Sequence, residues 1–396
     1  MKILKPEFYS SFKCTGSDCR EHCCQDWNIH IDKESFIKYG KIKGEFGSYL
    51  NGRITRNRKE TYELIYAKIN LEDRKCPFLD AKNLCNIYIN LGEEYLSNTC
   101  KLYPRTIVRY YDRCERRLSL SCPEVVEKLL ASQEPLSFLM EEEELSVLDY
   151  RNSVQTQYDM QMHDMIWETR ALLIDIAQFR EIALWKRLLF IKLVEGKVQK
   201  VIEEKKYSDF TSVIKEVKSF IQRSDVNEEL DKIEPSTERK NLFVKAVLQA
   251  RTSVSVVNKG FNVCIDDINT FTQKIADEGV MIEKIEREFD TYFTDRKYLL
   301  EHFIVYSLYT NVMNVIWTSN LNKEIMNLII NYAVIKQMLI AKWYCNQKRL
   351  AFDEIVEIVY SFSRVVEHHT DFIDEIYRQC KEDGYNTLAA VAILAR

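Results

Sequence analysis

The chain has 396 residues, enough for one large domain or two to three smaller ones, and for a substantial buried core. Its 46% hydrophobic and 29% charged content is that of an ordinary globular protein. A net charge of -4 gives no general attraction for nucleic acid or an anionic membrane.

The start, Met1-Lys2-Ile3-Leu4-Lys5-Pro6, lacks the apolar core of a signal peptide. No run reaches the ~18 apolar residues that cross a bilayer; Leu328 to Ile335 is interrupted by Asn331. A cytoplasmic protein is expected, with neither membrane nor nucleic acid as partner and with its thiols reduced. In that setting clustered cysteines read as metal ligands sooner than as disulfides.

Nine of the twelve cysteines lie in the first 122 residues, four of them packed into Cys14-x4-Cys19-x3-Cys23-Cys24. Gly16, Ser17 and Asp18 supply the turn propensity that folds the backbone back between them. Cys76-Pro77, Cys85, Cys100, Cys114 and Cys122-Pro123 follow. A proline directly after a cysteine suits iron–sulfur ligation, and Pro123 also suits the first turn of a helix. Paired CxxC knuckles, expected for zinc, are missing, so iron–sulfur is preferred over zinc. Cys114 sits among charged residues and stands apart from the set. Cys264, Cys345 and Cys380 read as ordinary small buried hydrophobes.

Residues 105–111 form the best strand candidate. The basic stretch Arg105, Arg109, Arg113, Arg116 and Arg117 reads as a solvated face with some ion pairs. Five of six prolines lie at or before Pro135 and six of ten glycines at or before Gly92, so the later chain is long and helical. Helical stretches are expected at about 155–206, 208–223, 238–257, 266–289 and 295–317. A polar linker is expected at 224–234 and a helix start at Pro235-Ser236-Thr237-Glu238. The spacing Ile325, Leu328, Ile329, Tyr332, Ile335, Leu339 gives one apolar helix face, and Phe352, Ile355, Val356, Val359, Phe362 gives another. The expected fold is mostly α, with a loop-rich cysteine-cluster domain at 1–132 and a helical domain at 133–396. No GxGxxG or GxxxxGK[ST] occurs, so a doubly wound nucleotide-binding sheet is not expected.

The string Phe12-Lys13-Cys14 … Cys19 … Cys23-Cys24-Gln25-Asp26-Trp27 … Ile31-Asp32, then Cys76-Pro77-Phe78-Leu79, resembles the flagellin lysine-N-methylase family. Cys85-Asn86-Ile87-Tyr88, Leu96-Ser97-Asn98-Thr99-Cys100 with Tyr103-Pro104-Arg105, and Leu118-Ser119-Leu120-Ser121-Cys122-Pro123-Glu124 extend the match over roughly 12–130. The resemblance implies methyl transfer from S-adenosylmethionine to surface lysines of flagellin, or of another protein bearing target lysines. It also implies an iron–sulfur cluster, taken as 4Fe-4S, with ligands among Cys14, Cys19, Cys23, Cys24, Cys76, Cys85, Cys100 and Cys122. The radical spacing CxxxCxxC begins at Cys19-x3-Cys23 but finds no cysteine at position 26. Polar transfer needs a desolvated lysine amine relieved of its proton. Asp26 and Tyr103 are the catalytic candidates beside the cysteines, and Trp27 and Arg105 the candidates to hold the methyl donor, Arg105 through its carboxylate. The competing reading is a non-enzymatic iron–sulfur or zinc module that senses redox state or docks a partner.

Overall fold

The computed structural model describes residues 1–59, 62–146, 149, 158–234, 236–252, 259–367 and 370–396. As expected, helices dominate. Two small sheets occupy the amino-terminal part. The first runs β5 (Arg105–Arg109), β6 (Arg113–Leu118), β1 (Lys2–Pro6), β7 (Phe138–Glu142). β5 and β6 form an antiparallel hairpin with Arg105 opposite Leu118, and β1 lies parallel to β6. β7 pairs antiparallel with β1, so this sheet continues past residue 132. The second sheet is β2 (His30–Ile31), β4 (Ala67–Ile69), β3 (Ile54–Arg56). Around it stand the short helices α1 (Lys33–Tyr39), α2 (Gly44–Gly52), α3 (Asn86–Leu91) and α4 (Asn98–Leu102).

The expected strand at 105–111 is present, but the basic stretch is not a solvated face. Arg116 binds Glu143 and Asp149 at 2.6 and 3.3 Å, and Arg117 is buried against Glu115 at 2.8 Å. β6 is an interior strand of its sheet, so its charges must be paired where they stand.

α5 (Pro123–Leu130) leads from the sheet to the helical part, with Pro123 in its first turn as anticipated. There follow α6 (Met160–Gln178), α7 (Leu184–Glu204), α8 (Phe210–Ile221), α9 (Ser224–Asp231), α10 (Thr237–Thr252), α11 (Lys259–Glu278), α12 (Ile282–Tyr292), α13 (Lys297–Asn311) and α14 (Val315–Thr318). The last four are α15 (Leu321–Cys345), α16 (Phe352–Glu367), α17 (Thr370–Glu382) and α18 (Leu388–Ala395). The stretch expected at 155–206 divides at 179–183, where Arg180 and Arg187 approach the buried Glu301 from the two sides of the turn. The stretch expected at 266–289 divides at Gly279, whose φ of 63° ends a helix in the left-handed region. The expected linker at 224–234 is mostly α9. Residues 155–157, 235 and 253–257 of those expectations lie outside the described residues.

The main core joins Phe12, Tyr110 and Leu118–Leu130 to α6–α18, whereas residues 29–87 enclose a smaller core around Ile31, Tyr39 and Phe78. Among the described residues α15 alone is long and apolar enough to cross a membrane by length and composition, and 83% of its most apolar window is buried within the protein.

Glu324, in the first turn of α15, is held up to about 7 by burial, with Asp374 adding to the rise and Lys323 opposing it. An acid whose folded value is raised contributes stability that is full below its unfolded value near 4.5 and is lost as pH rises through about 7. Glu324→Gln should therefore flatten the decline in urea midpoint between those limits and stabilise the protein at pH 8 by about 1–3 kcal/mol, after discount for partial exposure. Parallel midpoint profiles for the two proteins would refute this.

Candidate metal centre

The backbone draws the cysteines together by local pairings. Cys76 donates its N–H to the Cys24 carbonyl at 2.8 Å, and Asp26 donates to Arg74 at 2.9 Å, so segment 24–26 runs antiparallel to 74–76. Asn86 donates to the Phe78 carbonyl at 2.7 Å, which closes the Cys76–Cys85 loop. Three of the thiols then stand at helix starts. Cys85 is the cap of α3, Cys100 lies in the first turn of α4 behind the Ser97 cap, and Cys122 is the cap of α5. Helix starts present unpaired N–H groups that favour a thiolate. Accordingly Cys85 receives hydrogen bonds from Ile87 and Tyr88, Cys122 from Glu124 and Val125, and Cys76 from Phe78.

Asp32 fixes this scaffold. Buried at 4% exposure, it caps α1 through Ser35 and also accepts the N–H of Asn98 at 2.9 Å, tying the start of α4 to α1.

Burial is the largest influence on most of these thiols and pushes Cys76, Cys100 and Cys122 up to about 12. Mutual repulsion of thiolates adds to it. Cys23 raises Cys24, Cys76, Cys85 and Cys100, and Cys100 and Cys85 add to the rise of Cys76. Cys19 and Cys122 join them through Cys23, and Cys14, which is exposed, acts on Cys19. Cys23 is the exception: a hydrogen bond from Cys24 first, then the Arg364 charge, lower it against its burial, while the same contact pushes Cys24 up. All twelve cysteines are free thiols. Among the described residues no three His, Cys, Asp or Glu side chains close on one point as they would around a single metal ion. Cys114 is buried on β6 with Ile3 and Ile107, away from the set, and Cys264 and Cys380 are core residues, as expected; Cys345 is half-buried.

The four candidates beside the cysteines all have partners within the protein. Asp26, at φ 68°, pairs with Arg74 at 2.8 Å. Trp27 donates its indole N–H to the Cys23 carbonyl and packs on Tyr103, ring centroids 5.5 Å apart. The Tyr103 hydroxyl meets Ser121 at 3.0 Å, and burial raises its pKa well above the ordinary phenol value. Arg105 donates to the Phe12 carbonyl at 3.3 Å with its guanidinium over the Phe12 ring.

Sequence reasoning missed Arg364. This α16 residue, 7% exposed, donates Nε to the Ser121 carbonyl at 2.8 Å and Nη2 to the Glu21 carbonyl at 2.9 Å. Its Nη1 stands 3.0 Å from the Glu21 carboxylate. One guanidinium thus joins the Cys19–Cys24 loop, the Ser121–Cys122 turn and the helical region.

That helical region, residues 170–394, matches the family described as FliB lysine N-methylase C-terminal domain. The chain belongs to this family. A lysine-N-methylase of Salmonella choleraesuis (strain SC-B67) is 24% identical over 388 residues, covering 95% of this chain and 94% of that protein. The lysine-N-methylase of Salmonella typhimurium (strain LT2) is 23% identical over a similar extent, 95% and 94%. Flagellar biosynthetic protein FliU of Salmonella muenchen is 33% identical over 129 residues, 32% of this chain and 76% of that one. No solved structure matches. Membership of the FliB family places the protein among the protein-lysine methyltransferases. Arg364 belongs to the matched region and Glu21 does not, so the contact between them joins the family domain to the cysteine loop.

Proposed function

We propose that this protein methylates lysine side chains of flagellin with S-adenosylmethionine in the cytoplasm, and that its amino-terminal cysteines hold a 4Fe-4S cluster. In the net reaction a lysine ammonium gives up a proton, the sulfonium S–CH3 bond breaks, an N–CH3 bond forms, and S-adenosylhomocysteine leaves. The flagellar name of one relative and the lysine-N-methylase name of the others support the substrate and the reaction.

The observation that carries the cluster is the packing of Cys24, Cys76, Cys85 and Cys100, from distant stretches of the chain, against one small core, with the Cys76 backbone paired to Cys24. The donor set suits such a group. It is rich in sulfur, its thiolates repel one another, and backbone N–H groups already point at them. A cube also holds its cysteine sulfurs further apart than a single zinc does, because irons and sulfides stand between them. Cys23, Cys24, Cys76, Cys85 and Cys100 form the inner candidates for ligation, with Cys14, Cys19 and Cys122 around them. Bound there, the cluster would supply a positive core that clamps four chain segments.

The test is purification without oxygen, iron and sulfide analysis, then incubation with flagellin and the methyl donor followed by peptide mass mapping. Expected are iron in the protein and methyl additions on flagellin lysines. Iron-bearing protein that transfers no methyl group would instead favour the non-enzymatic module. Cys100→Ser should strip most of the iron, while Cys264→Ser should leave iron content unchanged. Equal iron in both variants would remove the proposed ligand set.

A further inference from the structure

A cavity of about 500 Å3 lies in the helical region, where the starts of α7 and α13 meet α12, α15 and the end of α18. Its charge is lopsided. Six cations line it, Arg180, Arg187, Arg287, Lys297, Lys336 and Arg396, against the three carboxylates of Glu283, Glu286 and Asp290. Nearby groups do not restore the balance. Glu286 is taken at 2.7 Å by Lys240, a cation from outside the lining, and Asp290 by Lys336 at 3.1 Å. Glu301, behind the wall, answers Arg180 at 2.8 Å and Arg187 at 2.7 Å with a single charge. Arg396 is held by the Ile233 carbonyl and the Trp185 ring, neither of them an anion. Counting a carboxyl at Arg396, whose main-chain oxygen Lys336 meets at 3.2 Å, still leaves the cations ahead. Arg287 and Lys297 are exposed, and their side chains have no hydrogen bond or ion pair to any described residue.

Folding thus draws cations from separate helices to one place although like charges repel. Behind them the wall is apolar, with Leu184, Phe289, Phe293 and Leu300. A cleft lined by one sign of charge over low-dielectric walls concentrates its field on an ion of the opposite sign. The ion that fits is negative, carries more than one charge and is small, since the volume falls in the range of small-ligand sites, about 300–1,000 Å3. Guanidinium forks and lysine ammonium groups are the donors that phosphate oxygens take. The same excess repels the net-cationic sulfonium donor of methyl groups, so the cavity is not offered to it.

We propose that this cavity binds a phosphate-bearing anion, with Arg287 and Lys297 as its main contacts and Arg180 and Arg396 beside them. Trp185 is half-buried and carries the Arg396 guanidinium 4.9 Å from its ring centroid, so a flat ring entering there has an aromatic edge to pack on. A nucleoside phosphate and an inorganic polyphosphate share the required chemistry and differ in whether they use that ring. The cavity shares no lining residue with the cysteine centre, and its occupation is a binding function beside methyl transfer. An anion held by Arg287 of α12 and Lys297 of α13 ties the two helices together and should raise the melting temperature.

The test is calorimetric titration of tripolyphosphate, and separately of adenosine triphosphate, into full-length protein purified without oxygen, in the absence of divalent cations. Wild type is compared with the double variant Arg287→Gln, Lys297→Gln and with a charge-matched control, Lys215→Gln, Lys218→Gln, on the exposed side of α8. The altered positions are all exposed, so both variants should fold, and a thermal melt of each checks this. Binding that weakens roughly tenfold or more in the first variant and is unchanged in the control supports the site, since two hydrogen bonds from charged groups are at stake. An advantage of adenosine triphosphate that Trp185→Ala abolishes identifies a nucleoside phosphate; equal affinity for the two probes identifies an inorganic one. Wild-type affinity in the first variant, an equal loss in both variants, or no binding to wild type at millimolar probe overturns the proposal. None of these outcomes touches the methyltransferase reading, which the methyl-transfer assay tests separately.

Discussion

Replacement of Arg364 by alanine should destabilise the protein by about 3–5 kcal/mol and release the iron of the proposed cluster. The loss is large because the groups the guanidinium holds keep only weak neutral donors: the Gln25 amide on the Glu21 carboxylate and the Cys19 thiol on the Glu21 carbonyl, each at 3.2 Å. Glu21 would keep a carboxylate whose side chain is 11% exposed, without its counter-charge, and the Glu21 and Ser121 carbonyls would each lose a donor. A buried ion left alone costs far more than the intact pair contributes. Domains carry only about 5–15 kcal/mol of net stability, so a loss of this size takes a large share of it.

The damage should begin at the cysteine loop. Residues 19–24 reach the helical region through Arg364 and, at the surface, through Arg20 with Glu127 and Asp353. Those outer pairs are exposed and worth little. Arg364→Lys keeps the charge but offers one point in place of a three-pronged fork, so it should retain part of the stability and part of the iron. Urea unfolding and the iron-to-protein ratio measure the two effects. An alanine variant with wild-type midpoint and full iron would show that the loop is held by something other than this contact.

What the sequence made legible was local. The turn at Gly16, the proline that opens α5 and the strand at 105–109 follow from residue type and short spacing. The apolar faces of α15 and α16 follow from helical period, and their burial in the main core agrees. The cysteine set could be singled out because thiols in a reduced setting have few other reasons to cluster. What stayed hidden depends on partners far along the chain. Arg364 and Glu21 are 343 residues apart, and nothing around Arg364 distinguishes it from any helix arginine. The pairing of β1 with β6 is parallel and joins Ile3 to Cys114, so no turn signature announces it. The break at 179–183 lacks proline and glycine; it is set by Glu301, which lies on α13. Asp26, Trp27, Tyr103 and Arg105 stand beside the thiol-bearing segments as their positions suggested, and each makes a contact within the protein that the motif does not announce, with Arg74, Cys23, Ser121 and Phe12. Chemistry-bearing residue types beside a motif do not reveal whether those groups are free.

The basic stretch on β6 misled for the same reason, and it leads to the second large effect. Glu115→Gln should cost about 3–5 kcal/mol. Glu115 is 0% exposed and lies between two guanidiniums, Arg117 at 2.8 Å and Arg170 of α6 at 2.6 Å, with the Tyr110 hydroxyl at 3.4 Å. Burial alone would raise its pKa, but the two arginines overcome that and hold the carboxyl below its usual value. The glutamine keeps the shape and removes the charge, leaving two buried cations facing each other across a neutral amide. Arg170 also donates to the Tyr309 carbonyl at 3.1 Å, and the Tyr309 hydroxyl bonds the Leu4 and Arg116 carbonyls, so the disturbance reaches β1, β6 and α13 together. Removal of the whole charged group behaves differently. A triple variant with Glu115, Arg117 and Arg170 all changed to apolar residues of similar volume leaves no unpaired ion and should recover most of the stability. Urea unfolding of the wild type, the single variant and the triple variant separates the two contributions. A single variant as stable as the wild type, or a triple variant less stable than the single one, would show that this ion network is not what fixes the sheet to the helices.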